Sequence, residues 1–288
     1  MSIVVAVTNQ KGGVGKTVYT INLAAAFALM LAQEKTQLPG RVLLIDMDPQ
    51  ANANATLAGG IWQDATQRVD VAAPFTLGDL LMDAISADPR SGVLTSALPL
   101  HGRGNLDFIP TQKGKMKAAL HYLDAERYNG DLHLREILEL LASRYRFIFI
   151  DTPPSLNSLT LNALVAASHV IVPVKLDGFA WDGFNDVLAT IELVRRNRNP
   201  QLNLLAIQPS QCNFRKAGEA ELYESLRRQY GRNVLPPFSY RADYDYAKEE
   251  GMDIFSYKPA RDRTRLAGKA EAAREFAQIA QAVRQLIK

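Results

Sequence analysis

The sequence has a single cysteine, Cys212. That excludes a disulfide framework, a cysteine-ligated zinc site and a cysteine-ligated cluster within one chain. It also lacks any long apolar run: the longest, Leu23 to Ala32, has ten residues, half of them alanine. About 18 are needed to span a bilayer, so no transmembrane segment is expected. The start, Met1-Ser2-Ile3-Val4-Val5, carries no basic stretch ahead of an apolar one. No signal peptide is read there, and a cytoplasmic location is expected. A strong charge of one sign is missing too, with 33 Lys and Arg against 30 Asp and Glu, formally +3. The total therefore neither demands nor excludes a nucleic-acid partner, and local clustering has to decide. The four histidines, His101, His121, His133 and His169, show no metal-binding spacing. There is no internal repeat, low-complexity tract or long linker. With 47% hydrophobic and 22% charged residues, disorder as the main state is excluded. The 288 residues fit one large α/β domain covering 1–288.

What is present is an alternation of short apolar strands and helices. Strands are expected at Ser2–Thr8, Val42–Ile45, Leu106–Ile109, Phe147–Ile150, Val170–Val174 and 202–207, with a short one near 234–235. Helices are expected at Lys16–Gln33, Thr76–Ala87, 114–126, 131–144, 180–197, 216–229 and 262–287. Residues 59–74 and 91–105 lack a clear period and read as surface loops. All-apolar strands between helices predict an α/β fold: a mostly parallel, twisted sheet with helices on both faces.

Between the first strand and helix lies Lys11-Gly12-Gly13-Val14-Gly15-Lys16-Thr17. Glycines let backbone N–H groups turn inward onto phosphate oxygens, and the helix N-terminus behind adds its positive dipole end. In a phosphate-binding loop of this kind Lys16 reaches the β- and γ-phosphates and the Thr17 hydroxyl ligates Mg²⁺. The usual spacing places a glycine where Gln10 stands, and a lysine, Lys11, follows it instead. Two more carboxylate segments end strands. Asp46-Met47-Asp48-Pro49-Gln50 follows the second strand, and Phe147-Ile148-Phe149-Ile150 runs into Asp151. Ligands of open α/β sheets bind beyond the strands' carboxyl ends. Asp46 and Asp48 there suit metal-water ligation and orientation of an attacking water. Asp151 suits Mg²⁺ held through water.

Lys11–Thr17 resembles the deviant Walker A box of the ParA/MinD ATPases, and the P-loop NTPase fold is implied with it. The resemblance makes ATP and Mg²⁺ the ligands. It makes Lys11 a residue that reaches across a dimer interface to the partner's nucleotide, as an arginine finger does. It gives Asp48 the positioning of the hydrolytic water, Asp46 the metal's water shell, and a slow intrinsic hydrolysis. Where the family usually runs Gly-Asn-Ala-Thr after Gln50, this sequence has Ala51-Asn52-Ala53-Asn54-Ala55-Thr56. Ser155–Ala166 is similar to the family's second switch and the helix after it. Adenine contacts are implied near Pro209 and Asn213 and around Arg241 to Tyr246.

Thr8-Asn9-Gln10 and Asp48-Pro49-Gln50 favour the ParA branch. Basic residues also cluster late. Arg195, Arg196, Arg198, Arg215, Lys216, Arg227, Arg228 and Arg232 face only three glutamates over 195–232, and Lys258, Arg261, Arg263, Arg265 and Lys269 face Asp262. Such a face suits sequence-independent phosphate contact. The ParA resemblance implies an ATP-state homodimer bound non-specifically to DNA, associated with the nucleoid. A ParB-like centromere-binding or adaptor protein would release it by stimulating hydrolysis, and so segregate a plasmid, chromosome or other cargo. The alternative is a MinD-like, membrane-cycling positioning ATPase. MinD-like relatives end in a membrane-targeting helix. Here the last helix carries Phe276, Ile279, Ala280, Val283, Leu286 and Ile287 on one face and lacks a basic opposite face, so core packing is expected instead.

Overall fold

A computed structural model describes residues 2–34, 40–58, 75–83, 98–99, 105–126, 129–177, 180–216, 218–259 and 263–287. The expected loop 59–74, most of 91–105, and His101, Arg261 and Asp262 lie outside the described residues.

The first strand, β1 (Ile3–Val7), is apolar throughout and takes the interior of the sheet. It pairs in parallel with β5 (Phe147–Asp151) on one side and β6 (His169–Lys175) on the other. Outward from β5 come β2 (Val42–Asp46), β4 (Leu106–Phe108) and the two-residue edge strand β3 (Leu98–Pro99). Beyond β6 lies β7 (Asn203–Ser210). Among the described residues only β3 runs antiparallel to its neighbour. The expectation of a mostly parallel sheet is met.

Successive residues of a strand face opposite sides, so each buried strand feeds two cores. Val4, Ala6, Ile148 and Ile150 join one core with α3 (Leu77–Asp83), α4 (Lys113–Ala125), α5 (His133–Leu141), α6 (Ser158–Ala166) and α7 (Ala180–Asn197). Val5, Val7, Phe147 and Phe149 join the other with α1 (Lys16–Gln33), α9 (Ala242–Glu249) and α10 (Arg263–Leu286). Between them in sequence lie α2 (Asn52–Ala58) and α8 (Glu219–Tyr230). The alanines of α1 let α10 and the sheet approach it from both sides. Phe27 sets its edge on Phe147 and Phe149, with centroids 4.8 and 5.1 Å away. Phe276, Ile279, Ala280 and Val283 of α10 are fully buried, as expected of a core-packing helix. No helix among the described residues is long and apolar enough to cross a membrane.

Several elements differ from the sequence reading, among them β3, which falls within the stretch 91–105 expected to be a loop. The strand expected at 234–235 is a single bridge from Val234 to Ile207; Pro236 and Pro237 follow, and proline has no N–H to extend a ladder. The helix expected from 216 begins at Glu219, because Gly218 sits at φ +90° as its cap. Helices α2 and α9 were not anticipated; α2 is started by a distant carboxylate, described next.

Candidate functional site

The loop after β1 is built from both ends. Asn9 is buried; its Nδ2 donates to Pro173 O on β6 (2.7 Å) and its Oδ1 accepts from Lys11 N (2.9 Å). Gly13 and Gly15 adopt φ +73° and +79°, a region costly for other residues. A Cβ on Gly12 or Gly13 would meet nothing within 4 Å, whereas one on Gly15 would press on Phe238 at 3.3 Å. The loop therefore presents open backbone on its front and is packed behind. Val14 is buried beneath it.

Lys16 is 7% exposed, and its Nζ donates to Asn9 O (2.9 Å) and Lys11 O (3.2 Å), inside the loop's own curve. Burial lowers its pKa, and the Asp151 and Asp48 carboxylates offset part of that. One residue on, Thr17 Oγ1 donates to Asp151 Oδ2 at 2.7 Å. Thr20, a turn further along α1, donates to Asp151 Oδ1 at 3.2 Å.

Asp46 and Asp151 are register partners at the ends of neighbouring strands, and both are buried. Burial first, then the Asp151 charge, pushes Asp46 well above the usual carboxylate range. Asp46 Oδ1 accepts from Asp48 N (3.0 Å), and Oδ2 accepts from Ala53 N (2.9 Å) and Asn54 N (3.2 Å). Those are the orphan amides at the start of α2, so Asp46 serves as that helix's anchor. The chain between reaches α2 through Ala51 at φ +53°, the position where the ParA/MinD pattern has glycine. Asp48 is 8% exposed and accepts from Gln50 N at 2.8 Å. Burial pushes the Asp151 carboxyl up to about 7, with the Thr17 hydrogen bond and Lys16 opposing.

The residues thus fit a magnesium nucleotide. The glycine loop offers open space at Gly12 and Gly13, and a hydroxyl and a carboxylate stand 2.7 Å apart as oxygen ligands. Among the described residues no group of three His, Cys, Asp or Glu could hold a metal alone. Mg²⁺ suits such a place because it takes one or two protein oxygens and completes its shell with water and phosphate.

A family model described as an AAA domain matches residues 2–204. Chromosome partitioning protein ParA of Myxococcus xanthus (strain DK1622) is 33% identical over 232 residues, 81% of this chain and 73% of that protein. Sporulation initiation inhibitor protein Soj of Bacillus subtilis (strain 168) is 30% identical over 260 residues, 90% of this chain and 92% of that one. The chain belongs to the ParA family. Among solved structures, Cobyrinic Acid a,c-diamide synthase from Mycobacterium smegmatis with bound ATP analog and magnesium is similar over 86% of this chain and 93% of that one. Its TM-score is 0.67 at 28% identity.

In this ParA-family chain the loop after β7 lies against the phosphate loop, but through residues the sequence reading did not single out. Gln211, at φ +53°, and Phe238 close over Gly15. Pro209 O accepts from Phe238 N at 3.2 Å. Asn213 is turned into its own bend: its N donates to Glu219 Oε2 and its Oδ1 accepts from Arg215 N. Arg241 is committed to α10, bonding Glu271 (2.8 Å) and Glu275 (2.9 Å). Cys212 is buried, and burial followed by the Glu219 and Glu275 charges pushes its thiol up to about 12, so it is no nucleophile at neutral pH.

The basic residues are divided between two places. Arg195 and Arg196 in the last turn of α7 share Glu192 at 2.7 and 2.6 Å, and Arg198 pairs with Asp131 of the α4–α5 connection at 2.9 Å. Arg227 lies over the Tyr223 ring, 5.8 Å from its centroid, and within 4.0 Å of Glu224. Lys216 and Arg228 line a cavity of about 630 Å³ with Lys175 at the carboxyl end of β6. Arg215 precedes Lys216 in the bend after β7.

Proposed function

We propose that this protein is a partition ATPase acting as one domain over residues 1–288, hydrolysing ATP with Mg²⁺ at the end of β1. The observation that carries the reading is the convergence of three segments far apart in sequence on one point: Lys16 and Thr17, Asp46 with Asp48, and Asp151, joined by the 2.7 Å Thr17–Asp151 hydrogen bond. Backbone amides of Gly12 to Thr17 hold the phosphates, Lys16 exchanges its loop carbonyls for phosphate oxygens, and Thr17 and Asp151 bind the metal side. Mg²⁺ supplies charge neutralisation on the phosphates. Asp48 orients the attacking water, Asp46 shapes the metal's water shell and the start of α2, and Lys11 serves a second copy's nucleotide. Because catalysis rests on positioning one water, the intrinsic rate is slow. The relatives named for chromosome partitioning support the cellular role.

In this reading the ATP-bound homodimer binds DNA without sequence preference through some of Arg195, Arg196, Arg198, Arg215, Lys216, Arg227 and Arg228. It works in the cytoplasm on the nucleoid, and a ParB-like partner triggers hydrolysis and release. Co-sedimentation with plasmid DNA and, separately, with anionic vesicles tests it. Binding to DNA that requires ATP and falls steeply with salt is expected. Binding to vesicles without binding to DNA would overturn the DNA role, and α10, whose apolar face is already buried, argues against it.

A further inference from the structure

We propose that Asp177 is a positioning residue that stores Lys11 on its own subunit until a second copy arrives; this rests on the reading that Lys11 acts across a dimer. Lys11 Nζ donates to both oxygens of Asp177, at 2.8 and 2.7 Å. The two residues hang on one frame. Lys11 follows β1 and is fixed by Asn9, which is bonded to Pro173 of β6. Asp177 lies two residues beyond β6, its own amide turned back onto Lys175 O at 2.9 Å. The pair is therefore pre-set by neighbouring strands rather than a chance meeting of long side chains.

An ammonium bonded to both oxygens of a carboxylate has its charge largely compensated. It cannot at the same time neutralise phosphates in another molecule. Moving to the partner's nucleotide requires breaking the pair, so the pair opposes dimerisation by its own strength. Both side chains are about one-third exposed, 35% and 36%, which leaves the pair open to exchange. Asp177 is also not abandoned when Lys11 leaves. It lines the same cavity as Lys175, Lys216 and Arg228, three cations that can take over its carboxylate. Lys11 on one side and the cations lining the shared cavity on the other give the carboxylate two alternative sets of charge partners, a two-state element biased by whatever draws Lys11 away.

An ion pair one-third exposed is worth a factor of about 3 in equilibrium terms, and a symmetric dimer breaks two, so releasing Lys11 in advance is worth about tenfold. The test is sedimentation velocity with Mg²⁺ and a non-hydrolysable ATP analogue, with nucleotide binding measured separately by calorimetry. Asp177→Asn is expected to dimerise at about tenfold lower protein concentration than the unmodified chain, and Asp177→Glu to stay within about twofold of it. In a Lys11→Ala background the Asp177→Asn change is expected to have no effect, because the pair is already absent. Unchanged or weaker dimerisation of Asp177→Asn, or the same shift with and without Lys11, would overturn the storage role while leaving the ATPase reading standing. An unmodified chain that binds the analogue and stays monomeric would overturn the storage role together with the reading that Lys11 acts across a dimer.

Discussion

Asp151→Asn is expected to stabilise the nucleotide-free protein and to remove its response to magnesium nucleotide. Asp151 is fully buried at the end of β5, beside Asp46 on the next strand. Burial is the largest cause that lifts its carboxyl to about 7. A folded pKa above the unfolded one means the fold disfavours the ionised form. That penalty is absent below about pH 4, grows as pH rises, and is complete above about pH 7. A displacement of that size is worth about 4 kcal/mol. Asparagine keeps one acceptor for a threonine hydroxyl, and the other hydroxyl can rotate to accept from Nδ2. Lost geometry takes back part of the gain, leaving about 2–4 kcal/mol at pH 8, or roughly 4–10 °C for a chain of this size. Scanning calorimetry at pH 8 and pH 4.5, with and without Mg·ATP, reads all of it. The gain should be largest at pH 8, much smaller at pH 4.5, and reversed in rank once Mg·ATP stabilises only the unmodified protein. A variant less stable than the unmodified chain at pH 8 without nucleotide would refute the reasoning.

Other outcomes are open to simpler tests. Lys16→Ala removes the cation that folds over the loop (2.9 Å to Asn9 O) and should weaken ATP binding about 10- to 100-fold by calorimetry; unchanged affinity counts against the loop assignment. At Ala51, φ +53° makes Ala51→Val cost about 2 kcal/mol in urea unfolding, because a branched side chain tolerates that region poorly. Ala51→Gly should fall within about 1 kcal/mol of neutral, its eased backbone offset by a freer unfolded chain. Glu275 accepts from Ser239, Arg241 and Tyr244. Burial raises its pKa, but the bonds from Arg241 and Ser239 outweigh that and hold it below the usual range. Its contribution is therefore present above about pH 4.5 and lost as pH falls. Glu275→Gln should cost about 1–2 kcal/mol at pH 7 and nearly nothing near pH 3, by denaturant melts at both.

The phosphate loop was legible because its chemistry is local: glycines, a lysine and a threonine between an apolar strand and a helix, with α1 falling on the expected 16–33. The strand-end aspartates were legible because their place follows from apolar runs that stop at a charge. Helix α2 was not, because its first turn is held by Asp46, seven and eight residues upstream, rather than by a capping residue beside it. Thr20 carried a faint signal, lying three residues after Thr17 on the same helical face. Asp177 carried none; its role depends on β6 lying next to β1, which only the sheet order supplies. The late basic residues form two clusters in the sequence, 195–232 and 258–269, and within the first the fold sends Arg195, Arg196 and Arg198 to the end of α7 and gathers Lys216 and Arg228 at the cavity beside Lys175. Linear charge density does not record which end of a sheet a helix finishes at.

The most direct measurement of the central claim is the mass of the Asp48→Ala protein in solution, by light scattering, with and without Mg·ATP. If Asp48 orients the attacking water and ATP joins two copies, this variant binds ATP, fails to hydrolyse it, and stays at twice the 31.8 kDa chain mass for as long as nucleotide is present. A variant that binds ATP yet remains at the single-chain mass, or that hydrolyses at the unmodified rate, would contradict it.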